Sequence, residues 1–288
     1  MDDKSFQPGK LAKRLGFLAY VVLIMVIFII KDRLEAYYGL SYIPIAILAG
    51  LVAAAPIYLI AKSAYRSKQL REQKKRDFFP LQEIKFLRSR EYAIPERDFR
   101  LFLRPFNTVG KLRIANPERP TVYSPSFFEQ PGTLDLEFII AKYLSTMGQV
   151  YAVGGPENSV GPGRLHVDDK SWFHNFELLA KAAHCIIVIP GYTLGSTAEV
   201  CWLKANFFLD KTIFIMPPSS FGQSGEAKSE WEKTSAAVED IGLCFPEYKR
   251  TGLLFKMNSL GQEVRSETLV LKSNVDFLKC LLKLEEPY

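Results

Sequence analysis

Two long stretches near the N-terminus contain no Asp, Glu, Lys, Arg or His, and they constrain the chain more than any other feature. They cover residues 15–30 and 40–61 of the 288. At about 1.5 Å of rise per helical residue, the second stretch spans the roughly 30 Å hydrocarbon core of a bilayer and the first comes close to it. Basic side chains at the ends of the first stretch can reach the headgroups and make up the difference. We therefore predict a two-helix transmembrane anchor over residues 15–61.

A cleaved signal peptide and a buried core helix are the two alternatives for these stretches. A signal peptide carries small residues at a cleavage site directly after its apolar stretch, whereas Lys31, Asp32 and Arg33 follow here. A core helix carries a polar stripe along one side, and neither stretch has one. Both stretches therefore favour the transmembrane anchor.

The basic residues around the two stretches predict the orientation of the anchor. Cytoplasmic flanks of membrane proteins are enriched in Lys and Arg. The link between the stretches contains Lys31 and Arg33, whereas residues 1–14 contain four basic residues and residues 62–76 contain seven. We therefore expect a multi-pass membrane protein with both termini in the cytoplasm. Residues 1–14 form its cytoplasmic N-terminus, and residues 62–98 form a basic juxtamembrane stalk.

Most of the formal net charge of +6 comes from this juxtamembrane cluster, which predicts contact with the bilayer through anionic lipid headgroups. Aromatic side chains do not interleave with the basic ones as on a base-stacking surface, so we expect no nucleic-acid partner. The four cysteines and three histidines show no spacing typical of ligands or disulfides. We therefore expect reduced core thiols and no metal site.

Residues 99–288 alternate strand and helix signals, which is the pattern of a mainly parallel sheet covered by helices on both faces. Continuous apolar runs such as CIIVI and TIFIM are typical of strands buried on both faces. We predict an α/β domain with an open sheet, followed by a small hairpin and a helix. The predicted strands are residues 99–106, 150–153, 185–189 and 212–216, the hairpin is residues 252–271, and the predicted helices are residues 134–147, 171–183, 196–209, 226–241 and 274–284.

The segment from residue 182 to residue 217 carries the strongest indication of a site. It combines a buried strand, a tight turn, a helix with an early glutamate and a second buried strand. Ligands of open α/β sheets bind outside the carboxyl ends of the strands, and this turn lies at such an end. The predicted helix places Glu199 in its first turn, so we expect the carboxylate to face the crevice.

A purely structural role for Glu199 is the alternative. Ser196-x-x-Glu199 matches a capping box, in which the serine hydroxyl accepts from the N–H of Glu199 and the carboxylate accepts from the N–H of Ser196. Such a box would account for both residues without a ligand. The residues leave the two interpretations open.

Glycine-rich loops after the second strand are a candidate phosphate-binding surface. Gly154 and Gly155 allow the backbone to approach a pyrophosphate, and Arg164 supplies positive charge. Ordinary loop turns explain the same glycines. No Gly-x-Gly-x-x-Gly fingerprint opens a helix and no Walker-type lysine motif is present, which argues against a dinucleotide oxidoreductase or a nucleoside triphosphatase.

The sequence Gly-Ser-Thr-Ala-Glu at residues 195–199 resembles the Gly-Thr-Ala-Ala-Glu turn of nucleoside 2-deoxyribosyltransferases, whose glutamate attacks the anomeric carbon of a nucleoside. The layout of residues 99–218 is also similar to that of TIR domains. It has an opening strand (FRLFLRPF), a Gly-rich loop after the second strand, a helix with Trp172, an apolar strand, and then Tyr192, Ser196 and Glu199. Both families have a flavodoxin-like sheet and N-glycosidic chemistry, and many bacterial TIR domains hydrolyse NAD.

This resemblance implies a flavodoxin-like or TIR-like domain that hydrolyses the N-glycosidic bond of NAD or a related nucleotide in bacterial signalling or defence. Glu199 would be catalytic, Asp168 or Asp169 would act against the base, and Tyr192 and Ser196 would bind the substrate. No cofactor is implied, because the nucleotide is the substrate. The alternative function is a non-catalytic, membrane-tethered interaction module that self-associates into a homo-oligomer through the TIR-like domain.

Overall fold

The computed structural model describes residues 43–105, 113–115, 133–135, 140, 142–154, 162–165, 171–219, 224–270 and 274–285. The chain divides into two compact units, Met1–Glu72 and Gln73–Tyr288. Helix α1 (Ile43–Arg88) contains most of the second predicted transmembrane stretch, whereas the first stretch lies outside the described residues. Among residues whose side chains the structure describes, no helix is long and apolar enough to cross a membrane.

The second unit contains a seven-stranded, mostly parallel sheet, which confirms the predicted α/β class. The strands lie in the order β5-β4-β1-β6-β7-β8-β9. The five strands from β5 to β7 run parallel to one another, β8 runs antiparallel to β7, and β9 runs antiparallel to β8. The strands of this sheet are β1 (Arg97–Leu103), β4 (Gln149–Val153), β5 (Gly163–Leu165), β6 (Ala183–Val188), β7 (Thr212–Met216), β8 (Leu253–Met257) and β9 (Glu263–Thr268).

Each face of the sheet carries its own apolar core, which explains the unbroken apolar runs of β6 and β7. On one face, the last turns of α1 pack with α2 (Trp172–Ala182), α3 (Leu194–Ala205) and α4 (Ser224–Glu239). On the other face, residues 140 and 142–144 and α5 (Asn274–Glu285) supply Ile140, Tyr143, Leu144, Phe277, Leu281 and Leu284. A strand between two cores has no solvent-facing side, so its side chains are apolar in both directions.

The chain adds strands first on one side of β1 and then on the other side. From β1 it moves outward to β4 and β5, and it then returns to the opposite side of β1 and continues through β6 to β7. The carboxyl ends of β1 and β6 therefore meet where the crossovers diverge. In open α/β sheets this reversal leaves room for a ligand.

Two predicted helices need correction, whereas the predicted hairpin does not. The helix predicted for residues 134–147 is wrong at its start, because Thr133–Asp135 forms β3 and pairs antiparallel with β2 (Arg113–Ala115). The helix predicted for residues 196–209 is α3, which begins at Leu194 and ends at Ala205, before a 3₁₀ turn at Leu209–Lys211. The hairpin predicted for residues 252–271 is confirmed, and its strand β8 joins the main sheet beside β7.

The second half of α1 covers the edge of the sheet at β5. The carboxylate of Asp77 accepts a hydrogen bond of 2.8 Å from the backbone N–H of Arg164, and the amide of Gln73 donates to the carbonyl of Pro162 at 2.8 Å. Ile84 and Leu87 are buried in the core. An exposed edge strand would leave such N–H groups available to other chains. The compact unit therefore includes residues 73–98, which the sequence analysis assigns to the stalk.

Candidate functional site at the carboxyl ends of β1 and β6

The turn between β6 and α3 is held against the end of β1. The N–H of Ile189 donates to the carbonyl of Leu103 at 2.9 Å, which continues the β1–β6 pairing past the last residue of β6. The hydroxyl of Thr193 then accepts from the N–H of Ser196 at 3.4 Å. Thr193 is therefore the N-cap, and α3 begins at Leu194.

Gly191 allows this turn to approach the segment that follows β1. A Cβ atom at Gly191 would lie 2.3 Å from Cγ of Pro105, which is far closer than two carbon atoms can approach. The N–H of Gly191 donates to Oγ of Ser196 at 3.0 Å, and both residues are buried. Ser196 thus fixes the turn between β6 and α3.

The predicted capping box at Ser196 and Glu199 is wrong. Thr193 caps the helix, and the Ser196 hydroxyl is engaged by Gly191 instead of by Glu199. Because α3 begins two residues earlier than predicted, Glu199 is its sixth residue and lies in the second turn. The side chain of Glu199 is buried, with 5% of the residue exposed.

Burial raises the pKa of the Glu199 carboxyl to about 8. In the part of the chain that the structure describes, no hydrogen bond and no neighbouring charge contributes to this shift. Desolvation penalises the charged form of a carboxyl, and nothing here compensates it. Glu199 is therefore largely protonated at neutral pH.

Trp172 lies beside the start of α3. An added Cβ at Gly195 would contact the Trp172 ring at 3.8 Å, and the ring meets Phe173 edge to face with centroids 5.1 Å apart. Trp172 is half-buried at the N-terminus of α2. The N-termini of α2 and α3 therefore converge at the same edge of the sheet, next to the ends of β1 and β6.

The other predicted site residues differ in where they lie. Gly154 follows β4 with a φ of +67°, and its N–H donates to the carbonyl of Leu165 at 2.8 Å. Tyr192, 40% exposed, lies in the turn before α3, and its ring centroid is 5.5 Å from Nζ of Lys233. Gly155, Asp168 and Asp169 lie outside the described residues.

Arg164 does not lie beside Glu199. It belongs to β5, three strands away from β6, which is about 14 Å at the usual strand spacing. Its side chain is 1% exposed, and its backbone N–H is bound by Asp77 of α1. The structure thus brings Ser196, Glu199 and Tyr192 together in one turn and helix, and leaves Arg164 at the edge of the sheet.

Arg104 lies at the carboxyl ends of the central strands and was not among the predicted site residues. It follows β1 directly, and its side chain is buried beside the carboxyl ends of the central strands. The signal was present in the sequence, because a charged residue inside an otherwise apolar strand needs an explanation. Pro105 and Gly191 gave no such signal, since their roles depend on a contact between distant segments.

The described residues contain no cluster of three or more His, Cys, Asp or Glu side chains arranged to bind a metal ion. All four cysteines are free thiols, but the predicted core location is wrong for Cys201 and Cys244, which are exposed, and Cys280 is half-buried. Comparison of the chain with protein-family models, with curated proteins and with solved structures finds no match.

Proposed function

We propose that this chain is a membrane-anchored hydrolase that cleaves the N-glycosidic bond of NAD or a related nucleotide, with Glu199 as the reacting carboxyl group. One observation carries the proposal. A carboxyl group that lacks a partner in the described part of the chain is buried where the crossovers of a parallel sheet diverge. That is the position at which open α/β sheets bind ligands.

The energetics of Glu199 support a functional role. Burying a polar group without a hydrogen bond costs on the order of 1–3 kcal/mol, and keeping it charged would cost more. An apolar residue of similar volume would avoid this cost. Strongly perturbed carboxyl groups concentrate at functional sites for this reason. Ser196, Gly191 and Pro105 fix the surrounding turn, which positions the start of α3 against the sheet.

One further feature supports the resemblance to TIR domains and deoxyribosyltransferases, and one departs from it. The Gly-Ser-Thr-Ala-Glu sequence lies at the start of the helix that follows β6, which is where the resemblance expects it. The parallel strands lie in the order β5-β4-β1-β6-β7, which is 3-2-1-4-5 when these strands are numbered along the chain. This is the Rossmann-type order and differs from the 2-1-3-4-5 order of flavodoxin-like sheets. Doubly wound sheets of either order bind ligands at the carboxyl ends of the strands where the order reverses, so the proposal for Glu199 is the same for both.

N-glycosidic cleavage passes through an oxocarbenium-like centre at the anomeric carbon. A carboxyl group beside that carbon can donate a proton to the leaving base or stabilise the positive charge that develops on the sugar. Low local polarity around Glu199 strengthens either interaction, because charges are poorly screened there. Trp172 and Tyr192 supply aromatic surface near the same edge for a base.

We propose that residues 15–61 anchor this domain in the membrane with both termini in the cytoplasm. Support comes from the two charge-free stretches and from the basic residues that flank them. The seven basic residues of residues 62–76 would contact anionic headgroups. A protease site placed after Tyr288 should be cut in permeabilised cells and remain intact in whole cells, and cleavage by external protease in whole cells would overturn the orientation.

A self-associating interaction module is the second candidate function, and an exposed apolar patch on α1 favours it. Phe78, Phe79 and Leu81 are 53%, 47% and 42% exposed in residues 73–88, the part of α1 that belongs to the second unit. Cross-linking of the full chain in vesicles should detect a dimer if this patch is the contact. Replacing the three residues by Ser should then remove the dimer and leave the fold intact.

Base release measured by chromatography tests the hydrolase proposal. The purified full chain is incubated with NAD and with purine, pyrimidine and pyridine nucleotides. Glu199→Gln should lower turnover by about 100-fold or more, because the amide can neither donate a proton nor carry a charge. Glu232→Gln, an exposed carboxyl on α4, is the matched control and should retain wild-type turnover. No base release by the wild type from any of these nucleotides would leave the interaction module as the better candidate.

A further inference from the structure

The protonation state of Glu199 follows from what surrounds it. The ionisable side chains on the described elements next to α3 are engaged elsewhere or contribute nothing to the charge of Glu199. His174 lies 3.9 Å from Glu177, Lys233 lies 3.3 Å from Glu230, and Lys228 lies 3.6 Å from Glu232. Lys204 of α3 donates to the carbonyls of Ile241 and Gly242, and His184 at the start of β6 lies 2.9 Å from Glu96. Cys185 packs in the core on the opposite face of the sheet, and Arg104 after β1 does not contribute to the pKa of Glu199.

The helix does not stabilise a charged Glu199 either. Free N–H groups occur in the first turn of a helix, and the favourable field of the helix dipole for anions decreases within that turn. Glu199 is the sixth residue of α3 and lies beyond it. Had the helix begun at residue 196, the carboxylate would have reached those N–H groups. The observed start of α3 therefore leaves the neutral acid as the favoured form.

We propose that Glu199 reacts as the acid that protonates the departing base, and that the substrates are nucleotides whose base is a poor leaving group until it gains a proton. This inference rests on the proposed N-glycosidic hydrolysis and specifies its substrate class. Neutral purine and pyrimidine bases belong to that class. A pyridinium base does not, because it leaves the sugar as a neutral molecule without a proton.

The step balances without a cofactor. The bond between C1′ and the base nitrogen breaks, and its electron pair goes to the base. The carboxyl proton of Glu199 passes to a nitrogen of the base, which leaves neutral. Water adds to C1′, and one of its protons returns to the Glu199 carboxylate. The products are the free base and the sugar phosphate, and Glu199 regains its proton for the next turnover.

The choice between acid and nucleophile has consequences for the leaving group. An acid accelerates departure in proportion to how much the leaving group needs the proton. A nucleophilic carboxylate acts on C1′ whichever base departs. A pyridinium nucleotide therefore gains little from a protonated Glu199, whereas a purine nucleotide depends on it. The site as built favours the purine or pyrimidine nucleotide over NAD.

Two substrates with the same sugar phosphate test the substrate class. The full chain is assayed with adenosine monophosphate and with nicotinamide mononucleotide, which differ in the base. We expect kcat/KM to be at least tenfold higher for adenosine monophosphate, and to decrease about tenfold per pH unit above the Glu199 pKa of about 8.

Preference for nicotinamide mononucleotide, or a rate that rises with pH to a plateau above 8, would overturn this inference and leave the proposed hydrolysis standing. No cleavage of either nucleotide, nor of any other in the panel, would overturn both.

A leaving group that needs no proton separates the acid from the nucleophile. In 4-nitrophenyl riboside 5′-phosphate, the 4-nitrophenolate departs unprotonated. Glu199→Gln should lower cleavage of adenosine monophosphate by about 100-fold, and the loss for the nitrophenyl substrate should be at least tenfold smaller. Equal losses on both substrates would identify a nucleophile and contradict the inference. Thermal unfolding of the variant beside the wild type shows that the loss does not come from misfolding.

Discussion

At the scale of single residues, Glu199 and Ser196 have opposite environments although they lie one helical turn apart. Ser196 is buried with its hydroxyl satisfied by the N–H of Gly191 at 3.0 Å. Glu199 is buried without such a donor in the described part of the chain, and this desolvation raises its pKa to about 8. The serine therefore stabilises the turn, and the glutamate imposes a cost that depends on pH.

The raised pKa of Glu199 predicts a specific pH dependence of stability. An unfolded glutamate titrates near 4.5 and the folded one near 8, so folding takes up a proton between these values. The stability that this proton provides is fully present below pH 4.5 and is lost as the pH rises toward 8. Glu199→Gln removes the titration. The variant should therefore gain stability relative to the wild type from pH 5 to pH 8, by a total on the order of a few kcal/mol.

Denaturant unfolding of both proteins at pH 5, 6, 7 and 8 measures this difference. Subtracting the two curves removes the titration of every other group. A stability difference that stays constant over this range, or that turns in favour of the wild type as the pH rises, would show that Glu199 is not held in its neutral form.

Alanine substitutions at Gly191 and Gly195 are a matched pair that tests how closely the turn between β6 and α3 approaches Pro105. Gly191→Ala places a methyl group 2.3 Å from Pro105 and should cost about 2–4 kcal/mol of stability. Gly195→Ala places one in ordinary contact with Trp172, at 3.8 Å, inside a helix. That change should be neutral or stabilise by about 0.5–1 kcal/mol. Equal effects of the two substitutions, measured by thermal unfolding, would contradict the close contact at Gly191.

At the scale of secondary structure elements, a buried ion pair joins the first strand to the last helix. The guanidinium of Arg100 on β1 donates to Glu285 of α5 through Nε at 2.8 Å and Nη2 at 2.9 Å. Its Nη1 donates to the carbonyl of Met147 at 3.0 Å. Burial lowers the pKa of Arg100, but the hydrogen bond and charge of Glu285 outweigh this and raise it overall.

Replacing only one partner of this ion pair should lower the free energy of unfolding strongly. Glu285→Gln leaves the Arg100 charge buried beside a neutral amide, and we expect a loss of about 3–5 kcal/mol. Replacing both residues, as in Arg100→Met with Glu285→Leu, should recover much of that loss because no buried charge remains. Lys283→Met breaks the exposed pair with Glu267 and is the control, with an expected loss of about 0–1 kcal/mol. A double-mutant cycle from urea unfolding measures all three, and additive losses at Arg100 and Glu285 would contradict the coupling.

At the scale of the whole molecule, the sequence predicted the sheet better than it predicted the contacts between distant segments. The apolar runs of β6 and β7 are too short to be helices between their flanking turns, and both were correctly predicted as strands. The start of α3 was predicted two residues late, because Thr193 and Ser196 are both good capping residues and the contact of Gly191 with Pro105 decides between them. Strand β3 was missed because it exists through its pairing with β2, about twenty residues away in sequence.

The position of Glu199 near the carboxyl ends of the strands could be predicted, whereas its environment could not. The buried strand and the following turn indicated the edge from sequence alone. Whether a carboxyl near a helix start reaches free N–H groups depends on the exact first residue of the helix, which local signals locate within a few residues at best. The packing of residues 73–88 against β5 could likewise not be predicted, because polar side chains such as Gln73 and Asp77 are also typical of a solvated helix.

The packing of α1 predicts where the chain can be shortened. A chain beginning near residue 70 keeps Ile84 and Leu87 in the core and Asp77 on β5. A chain beginning at residue 95 exposes that core and leaves the edge of β5 uncovered. We expect the first to unfold cooperatively and the second to aggregate, as measured by thermal unfolding and light scattering. A soluble and equally stable chain beginning at residue 95 would show that α1 contributes little to the fold.

Burial keeps the Glu199 carboxyl protonated at neutral pH near the carboxyl ends of β1 and β6. Infrared difference spectroscopy of the full chain, wild type minus Glu199→Gln, measures this directly through the C=O stretch of a protonated carboxyl. We expect a band that is present at pH 6.5 and disappears with a midpoint near the Glu199 pKa of about 8. Absence of that band at pH 6.5, with the signal of an ionised carboxylate in its place, would show that Glu199 is charged at neutral pH and overturn its proposed role as an acid.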